Sequence, residues 1–253
     1  EDLEAYPRTL EADVEGLTAV LRAPVGGALA VGRLIVFAPA PEVMYPYGEP
    51  AVRIDPGPIA TVLEGRTRPT HFAGVCQVVL TLMHLTAPRW ALFGRKDAQQ
   101  LAIIESMVRD LAVPLEIVPV DIRRESDGLA MSSRNAYLGP EQRKQALALS
   151  RALRAGRDVA VEAAASGARP DPASIRRAAL ASLEASDGIE VDYVALVDPT
   201  GFEDLTDAGL GLPRSAPVRE DAEEGPAPMG LLAVAARVGT TRLIDNTLID
   251  LRP

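Results

Sequence analysis

The sequence is poor in the residues that support disulfide or metal–thiolate chemistry. Its 253 residues include one cysteine and two histidines. A single cysteine cannot form an internal disulfide framework or a cysteine-based zinc site. Cys76 lies in an apolar helical pattern, which predicts a buried thiol. Such cysteine usage is typical of a reducing compartment, so we expect a cytoplasmic protein.

The chain also lacks long apolar runs and an excess of positive charge. No apolar run approaches the roughly 20 residues that a membrane-spanning helix needs. The net charge of −9 disfavours non-specific binding to nucleic acid and attachment to an anionic membrane. We therefore expect no nucleic-acid partner and no membrane partner. Length and apolar content predict a globular protein with two domains.

Lysine is scarce as well. Only Lys96 and Lys144 are lysines among the 26 basic residues, and the rest are arginine. A lysine ammonium is a compact, mobile point charge, whereas the arginine guanidinium is a planar fork. Lys96 is therefore a candidate for contacting a moving phosphate group. The alternative is that two lysines must fall somewhere in any chain.

Apolar periodicity in the first half of the chain predicts an α/β fold. A strand, a helix and a second strand in succession predict a βαβ unit with parallel strands. Ligands in such sheets bind beyond the carboxyl ends of the strands, and Gly94–Gln100 lies there. The predicted helices are Leu10–Arg22, Gly74–Leu85 and one from Asp97 with Leu101, Ile104, Val108 and Leu111 on its apolar face, and the predicted strands are Leu34–Ala38, Trp90–Phe93 and Leu115–Val120.

The second half predicts a separate, smaller α+β domain, with a boundary near Ile122–Arg124. Two helices precede a strand and a hairpin, and an acidic, proline-rich loop interrupts them. The predicted elements are helices from Gly139 to Ala165 and from Asp171 to Asp187, strand Ile189–Val197, loop Asp204–Gly230, and hairpin strands Leu231–Val238 and Arg242–Leu251.

The stretch Asp127–Asn135 is a candidate anion site. Ser132 and Ser133 can donate hydrogen bonds to phosphate oxygens, and Arg134 can bind one bidentately. The alternative is a surface turn in which serine and asparagine bond the backbone. Because this stretch follows the second parallel strand, we expect it to share one crevice with Gly94–Gln100.

Cleavage of a triphosphate between its α and β groups needs positive charge on both sides of the breaking bond. Lys96 and Arg134 would supply this from opposite walls. Asp97 can accept ribose hydroxyls, or it can cap its helix together with Gln100 in a variant of the capping box. His71 lies in the predicted loop before a helix, where a lone histidine is more often structural than catalytic.

Several motifs together resemble the pantoate–β-alanine ligase (pantothenate synthetase) family. The resemblance runs along most of the chain and rests on Tyr6–Thr9, Arg68–Val75, Phe93–Gln100, Asp127–Asn135 and Gly239–Asn246. It implies a Rossmann-like nucleotidyltransferase domain, residues 1–123, and a C-terminal α+β lid domain, residues 124–253, in a homodimer. It also implies that ATP, as a substrate with Mg²⁺, adenylates pantoate with release of pyrophosphate. The β-alanine amine then attacks the adenylate.

The resemblance assigns residue roles by position. The ATP-binding residues would be Gly94, Arg95, Lys96, Asp97, Arg123 through its backbone, Met131, Ser132, Ser133 and Arg134. Lys96 and Arg134 would be the catalytic pair. Gln100 would bind pantoate, and Asp13 would lie near the metal and β-alanine.

The chain departs from the family pattern in three places. Arg95 and Ala98 replace the usual glutamate and tyrosine, and the segment Val20–Gly32 is longer than usual. The family's His-x-Gly-His motif and its Asn-Pro-x-Gln-Phe stretch would precede Glu1, and His71 and His84 do not have the spacing to replace them. We therefore expect an N-terminally truncated chain that forms no pantothenate at a useful rate by itself.

Two rival interpretations stay open at this point. One is another adenylyltransferase or a tRNA synthetase of the same superfamily, although the acidic balance disfavours tRNA. The other is a non-catalytic, truncated family member that keeps only an assembly surface or partial ATP binding.

Overall fold

The computed structural model describes residues 9–22, 33–206 and 228–253. The chain divides into two compact units, Glu1–Val52 and Arg53–Pro253. Residues 6–8, most of the longer segment Val20–Gly32 and most of the predicted loop 204–230 lie outside the described residues. Within the described ranges, no helix is long and apolar enough to cross a membrane.

The first unit contains helix α1, Leu10–Arg22, and the short helix α2, Pro41–Met44. The described helix α1 matches the helix predicted near Leu10–Arg22. The predicted buried strand Leu34–Ala38 is wrong: this segment has no regular structure, and Ile35 is 70% exposed. A strand needs a neighbour for its backbone groups, and no described strand pairs with this one.

In the second unit, the short helix α3, Glu64–Thr67, precedes helix α4, His71–Thr86. Helix α4 begins three residues before the predicted Gly74, so His71 is its first residue and not a loop residue. Phe72, Cys76 and Met83 are its buried residues, which confirms that Cys76 is a core thiol. His84 is exposed, as predicted.

The predicted βαβ unit is confirmed. Strand β1, Trp90–Gly94, pairs in parallel with β2, Glu116–Val120, and helix α5, Ala98–Asp110, connects them. Ile103 and Ile104 of α5 are almost fully buried, and each such side chain contributes roughly 1.5–3 kcal/mol to stability. Leu111 was wrongly placed on the apolar face: the helix ends before it, and it is 54% exposed.

The C-terminal elements follow the predicted order. Helix α6 spans Pro140–Ala165 and helix α7 spans Pro172–Glu184, and strands β3, Ile189–Val197, β4, Met229–Val238, and β5, Thr241–Asp250, form one antiparallel sheet in the order β3-β4-β5. Asp171 caps α7, because its carboxylate accepts from the Ser174 amide at 3.0 Å. Gly239 adopts φ +59° in the hairpin turn, a conformation that glycine adopts without steric cost.

The antiparallel sheet is buried on both faces. Leu196, Leu232 and Val234 pack on one face in a cluster with α6 and α7. Ala195 and Leu231 pack on the other face with Ala102 of α5. The protein is therefore α/β, with a parallel sheet and a separate antiparallel sheet joined through α5.

Candidate active site

One crevice brings together residues from several elements of the second unit. Lys96, Asp97 and Gln100 lie in the turn after β1 and at the start of α5. Arg134 enters from the stretch after β2, and the antiparallel sheet adds Tyr193 and Asn246. The two stretches that sequence analysis placed beyond parallel strand ends therefore share a crevice, as predicted.

Lys96 and Arg134 also line a smaller adjoining hollow together with Ser132. The Lys96 side chain is 19% exposed, and its Nζ lies 3.9 Å from the Asp97 carboxylate. At this distance the pair is a loose ion pair, so Lys96 keeps donors for an anion. The arrangement places two cationic side chains on different walls of one space.

The capping role predicted for Asp97 is wrong. Asp97 is the N-cap residue of α5, but its side chain makes no capping hydrogen bond, and the carboxylate is 55% exposed. Gln100, three residues later, forms no capping box either. Both polar groups therefore lie in the crevice without a part in the helix start.

Gln99, which precedes Gln100 in helix α5, has a different environment from that of Gln100. Gln99 is 4% exposed, and its amide donates to the carbonyls of Ile59 at 2.6 Å and Val62 at 2.9 Å. Its oxygen accepts from the Glu64 amide at 3.1 Å. Gln99 thus fastens the loop before α3 to α5 through its side-chain amide, and both Gln99 and Gln100 line the crevice.

The stretch before Arg134 is fixed to helix α6 by ion pairs. Arg143 donates to Asp127 at 2.9 Å and to Glu125 at 2.6 Å. The Leu129 amide and Arg143 hold the pKa of Asp127 below its usual value, and Arg143 with Asn135 does the same for Glu125. These contacts fix the position of the loop before Arg134 relative to helix α6.

The serines differ in their surroundings. Ser132 accepts from the Arg134 amide at 3.3 Å and caps a 3₁₀ turn, Ser133–Tyr137. The backbone-bonding alternative for Ser132 is therefore present, but its hydroxyl hydrogen remains a donor toward the hollow. Met131 is 51% exposed, and neither it nor Ser133 lines the crevice.

Four more of the predicted site residues do not line the crevice. Gly94 ends β1. The Arg95 side chain pairs with Asp121 at 3.2 Å in a hollow on another side of the turn. The Arg123 carbonyl accepts from the Met131 amide at 2.8 Å. Asp13 belongs to the first compact unit, where its carboxylate accepts from Thr9 at 3.4 Å.

A buried charged group, to which no sequence motif assigned a role, borders the crevice. Arg242 of β5 donates to Glu64 through both terminal nitrogens at 2.7 Å and to Asp192 at 2.8 Å. The Tyr193 hydroxyl donates to Glu64 at 2.9 Å. Burial raises the pKa of Tyr193 well above its usual value, and the Glu64 charge adds to this. Tyr193 is therefore a neutral donor.

His71 and Arg68 also line the crevice. Burial lowers the pKa of His71, and the positive charge of Arg68 lowers it further. A neutral imidazole is therefore favoured here. The sequence signal for these residues was their place in the Arg68–Val75 motif, which carried the family resemblance without giving each residue a role.

Among the residues that the structure describes, no group of three His, Cys, Asp or Glu side chains could hold a metal ion. The described chain thus offers no metal site built from such groups. Asp13, the acid that the family resemblance places near a metal, belongs to no such group among the described residues.

The βαβ unit, with charged side chains beyond its strand ends, defines the class of α/β proteins that bind ligands at the carboxyl edge of a parallel sheet. The family model "Pantoate-beta-alanine ligase" matches residues 1–248. The chain belongs to this family.

Individual relatives agree with this assignment. The chain is 45% identical over 249 residues to "Pantothenate synthetase" of Nocardioides sp., an alignment that covers 97% of this chain and 63% of that relative. The crystal structure of pantothenate synthetase from Thermus thermophilus has a TM-score of 0.77 and 39% identity, covering all of this chain and 78% of that one.

A third similar structure has bound ligands. Pantoate-beta-alanine ligase from Francisella tularensis, complexed with "Beta-gamma ATP" and β-alanine, has a TM-score of 0.63 and 25% identity, covering 98% of this chain and 72% of that one. The chain therefore spans between 63% and 78% of the length of these three proteins.

Proposed function

We propose that the protein condenses pantoate with β-alanine in an ATP-dependent reaction. The observation that carries this proposal is the joint placement of Lys96, Gln100 and Arg134 in one crevice. Family membership supplies the substrates, and the relative from Francisella tularensis was crystallised with an ATP ligand and β-alanine. The chemistry of these side chains gives the role that we propose for each of them.

In the first step, a pantoate carboxylate oxygen attacks the α-phosphorus of ATP. A new P–O bond forms, the bond to the β-phosphate bridge breaks, and pyrophosphate leaves with the electron pair. Negative charge builds on the phosphate oxygens during this step. Lys96 and Arg134 stabilise that charge from two walls, with Ser132 as a hydroxyl donor.

In the second step, the β-alanine amine attacks the acyl carbon of the pantoyl adenylate. An amide bond forms, AMP leaves, and the nitrogen loses a proton to water or a base. We assign Gln100 to the pantoate hydroxyls, because its amide can both donate and accept. Asp97 would accept the ribose hydroxyls, because its carboxylate is not used in capping.

We propose that the other predicted ATP-binding residues contact the nucleotide through backbone atoms or at the rim of the site. Gly94, Arg95 and Arg123 would contact the nucleotide through main-chain atoms, and Met131 and Ser133 would approach it from the loop. Mg²⁺ would arrive with ATP and neutralise phosphate charge, and Asp13 is the acid that the family resemblance assigns to the metal. Residues 124–253 would act as a lid domain.

We also propose that the protein is a cytoplasmic homodimer. The apolar side chains Trp90 and Leu92 on one face of β1 are 52% and 67% exposed, which supports an association surface. Sedimentation of the purified protein measures the mass directly, and a monomer at micromolar concentration would contradict this part of the proposal.

The test of the reaction is pantoate-dependent exchange of labelled pyrophosphate into ATP. Exchange requires the first step alone, so it separates adenylation from amide formation. In a chain that also carries the family's His-x-Gly-His segment, we expect exchange with pantoate, none with other hydroxy acids, and conversion to pantothenate when β-alanine is added. Residues 1–253 alone should give little exchange, as the family pattern predicts. Exchange with a different acid would indicate another adenylyltransferase, and no exchange at all would indicate a non-catalytic family member.

A further inference from the structure

Asn246 of β5 contacts the turn that carries Lys96. Its side-chain nitrogen donates to the Arg95 carbonyl at 3.0 Å and to the Lys96 carbonyl at 2.9 Å. An asparagine amide has two N–H donors, and both are used here. Asn246 is 6% exposed, so water does not compete for these bonds. One side chain therefore fixes two successive carbonyls of the 3₁₀ turn.

The preceding residue fixes β5 against the other wall of the crevice. Asp245 accepts from Arg124 through both carboxylate oxygens, at 2.7 and 3.0 Å. Arg124 also donates to the Gly128 carbonyl at 3.1 Å. This places the start of the Arg134 stretch at a set distance from β5. Consecutive strand residues point to opposite faces, which lets neighbours act on two different elements.

We propose that Asn246 is a positioning residue that sets the location of Lys96 relative to Arg134. This inference rests on the proposed function, since it gives Asn246 a role in the adenylation step. In this role Asn246 acts through the backbone of Lys96 and not through a contact with substrate. A displacement of about 1 Å at a reacting centre can lower a rate about 100-fold, so loss of two backbone bonds at this turn has a large kinetic consequence.

The test uses two substitutions of Asn246. Asn246→Ala removes both donors, and Asn246→Asp keeps the volume but presents acceptors to two carbonyls. We expect kcat of the exchange reaction to fall at least tenfold in each, with the KM for ATP changed less than threefold. If Asn246→Ala does not fold, Asn246→Asp carries the test, because it leaves no cavity.

Two controls separate positioning from general destabilisation. Thr247→Val alters the next residue of β5, whose hydroxyl makes only a 3.5 Å contact to the Leu248 carbonyl. Ile249→Val removes one methyl group from a fully buried core residue of the same strand. We expect wild-type kcat in both variants, since neither touches the turn.

A double-variant cycle shows whether Asn246 acts through Lys96. If it does, the Lys96→Ala/Asn246→Ala protein is no slower than Lys96→Ala alone, because the group being positioned is already absent. Independent roles would instead multiply the two rate losses. Multiplied losses, or wild-type kcat in both Asn246 variants, would overturn the proposal.

A second readout does not depend on any activity. The chain has two lysines; the Lys96 side chain is 19% exposed and that of Lys144 is 74% exposed. Acetic anhydride labelling, followed by mass spectrometry, gives the reactivity of Lys96 with Lys144 as internal reference. We expect this ratio to rise at least threefold in the Asn246 variants and to stay constant in both controls.

The two readouts distinguish failure of this inference from failure of the proposed function. An active wild type whose labelling ratio is unchanged by Asn246→Ala would overturn the positioning role alone. If the wild type shows no pantoate-dependent exchange but the labelling ratio rises in the Asn246 variants, the proposed reaction is overturned. The structural role of Asn246 then stays in place.

Discussion

Arg242 and Glu64 form a buried, doubly hydrogen-bonded ion pair across 178 positions of the chain, with both bonds at 2.7 Å. Their side chains are 6% and 14% exposed. Burial alone would lower the pKa of Arg242, but its hydrogen bonds and charge interactions with Glu64 and Asp192 raise it above its usual value. The pair joins the strand that carries Asn246 to the helix that borders the crevice.

Arg242→Met is expected to lower the free energy of unfolding by roughly 3–5 kcal/mol, because it leaves two carboxylates without their buried partner. Urea unfolding measures this change. The matched control is Arg252→Ala, which breaks an exposed pair with Asp250 and should cost less than about 1 kcal/mol. Equal losses in the two variants would contradict the importance of burial here.

Lys96→Ala is expected to reduce turnover far more than it weakens ATP binding, because its charge is needed mainly as the α-phosphorus becomes five-coordinate. Loss of one such donor costs roughly 3–4 kcal/mol in the transition state, or a factor of a few hundred in kcat. Exchange kinetics measure turnover and calorimetry measures ATP binding. Lys144→Ala, at an exposed lysine paired with Glu141, should behave as wild type. A Lys96→Ala turnover near wild type would exclude this role.

Gln100→Ala is expected to raise the KM for pantoate about tenfold or more while the affinity for ATP stays nearly constant. The side chain lines the crevice and takes no part in the helix cap, so its loss should not disturb Asp97. Steady-state kinetics with each substrate varied in turn give both values.

The neighbouring Gln99→Ala is the control for that variant. Gln99 makes three buried hydrogen bonds to the loop before and at α3, so its replacement should lower the unfolding free energy by about 1–3 kcal/mol. Equal weakening of pantoate and ATP binding in Gln100→Ala would show that this residue supports the helix start and not the substrate.

His71 should make the stability of the protein depend on pH. Burial, followed by the Arg68 charge, lowers the pKa of His71 in the folded state, so the unfolded chain binds this proton more readily. Stability due to His71 is therefore fully present above about pH 6.5, the pKa of an unperturbed histidine, and is lost as the pH falls below it.

Urea unfolding of the wild type and of His71→Gln between about pH 5 and 7.5 measures that contribution, since this window brackets the unperturbed histidine pKa. We expect the wild type to lose more stability on acidification than His71→Gln does. His84→Gln, which replaces the exposed histidine, should keep the wild-type slope. A slope that is the same in all three proteins would refute the lowered pKa of the half-buried His71.

Local signals were sufficient for much of the fold. The apolar spacing from Leu10 predicted helix α1, and the Asp171-Pro172 pair predicted the start of α7 because the cap bond is made within four residues. The shared crevice was also predictable, since parallel strands place their carboxyl ends at one edge. Leu34–Ala38 shows the limit: an apolar run becomes a strand only when a partner strand lies beside it.

The parts of the site that sequence reasoning missed depend on residues far apart in the chain. The Glu64–Arg242 pair and the Asn246 contacts with residues 95 and 96 join segments separated by 150 positions or more. No spacing rule predicts such pairs. The capping role of Asp97 failed for the opposite reason: a favourable local motif was present, but Asp97 ends a 3₁₀ turn before α5 and its carboxylate makes no capping hydrogen bond.

The position of Asn246 has a consequence for the order of events during synthesis. The turn that carries Lys96 emerges from the ribosome about 150 residues before the strand that holds it. Strands β4 and β5 are adjacent in the chain, so their hairpin can form quickly from the turn at Gly239. Its docking onto the turn that carries Lys96 must instead close a long loop of chain. In the nascent βαβ unit, the carbonyls of Arg95 and Lys96 therefore stay hydrated until strand β5 has been made. A chaperone that delays the hairpin would postpone activity without altering the rest of the α/β unit.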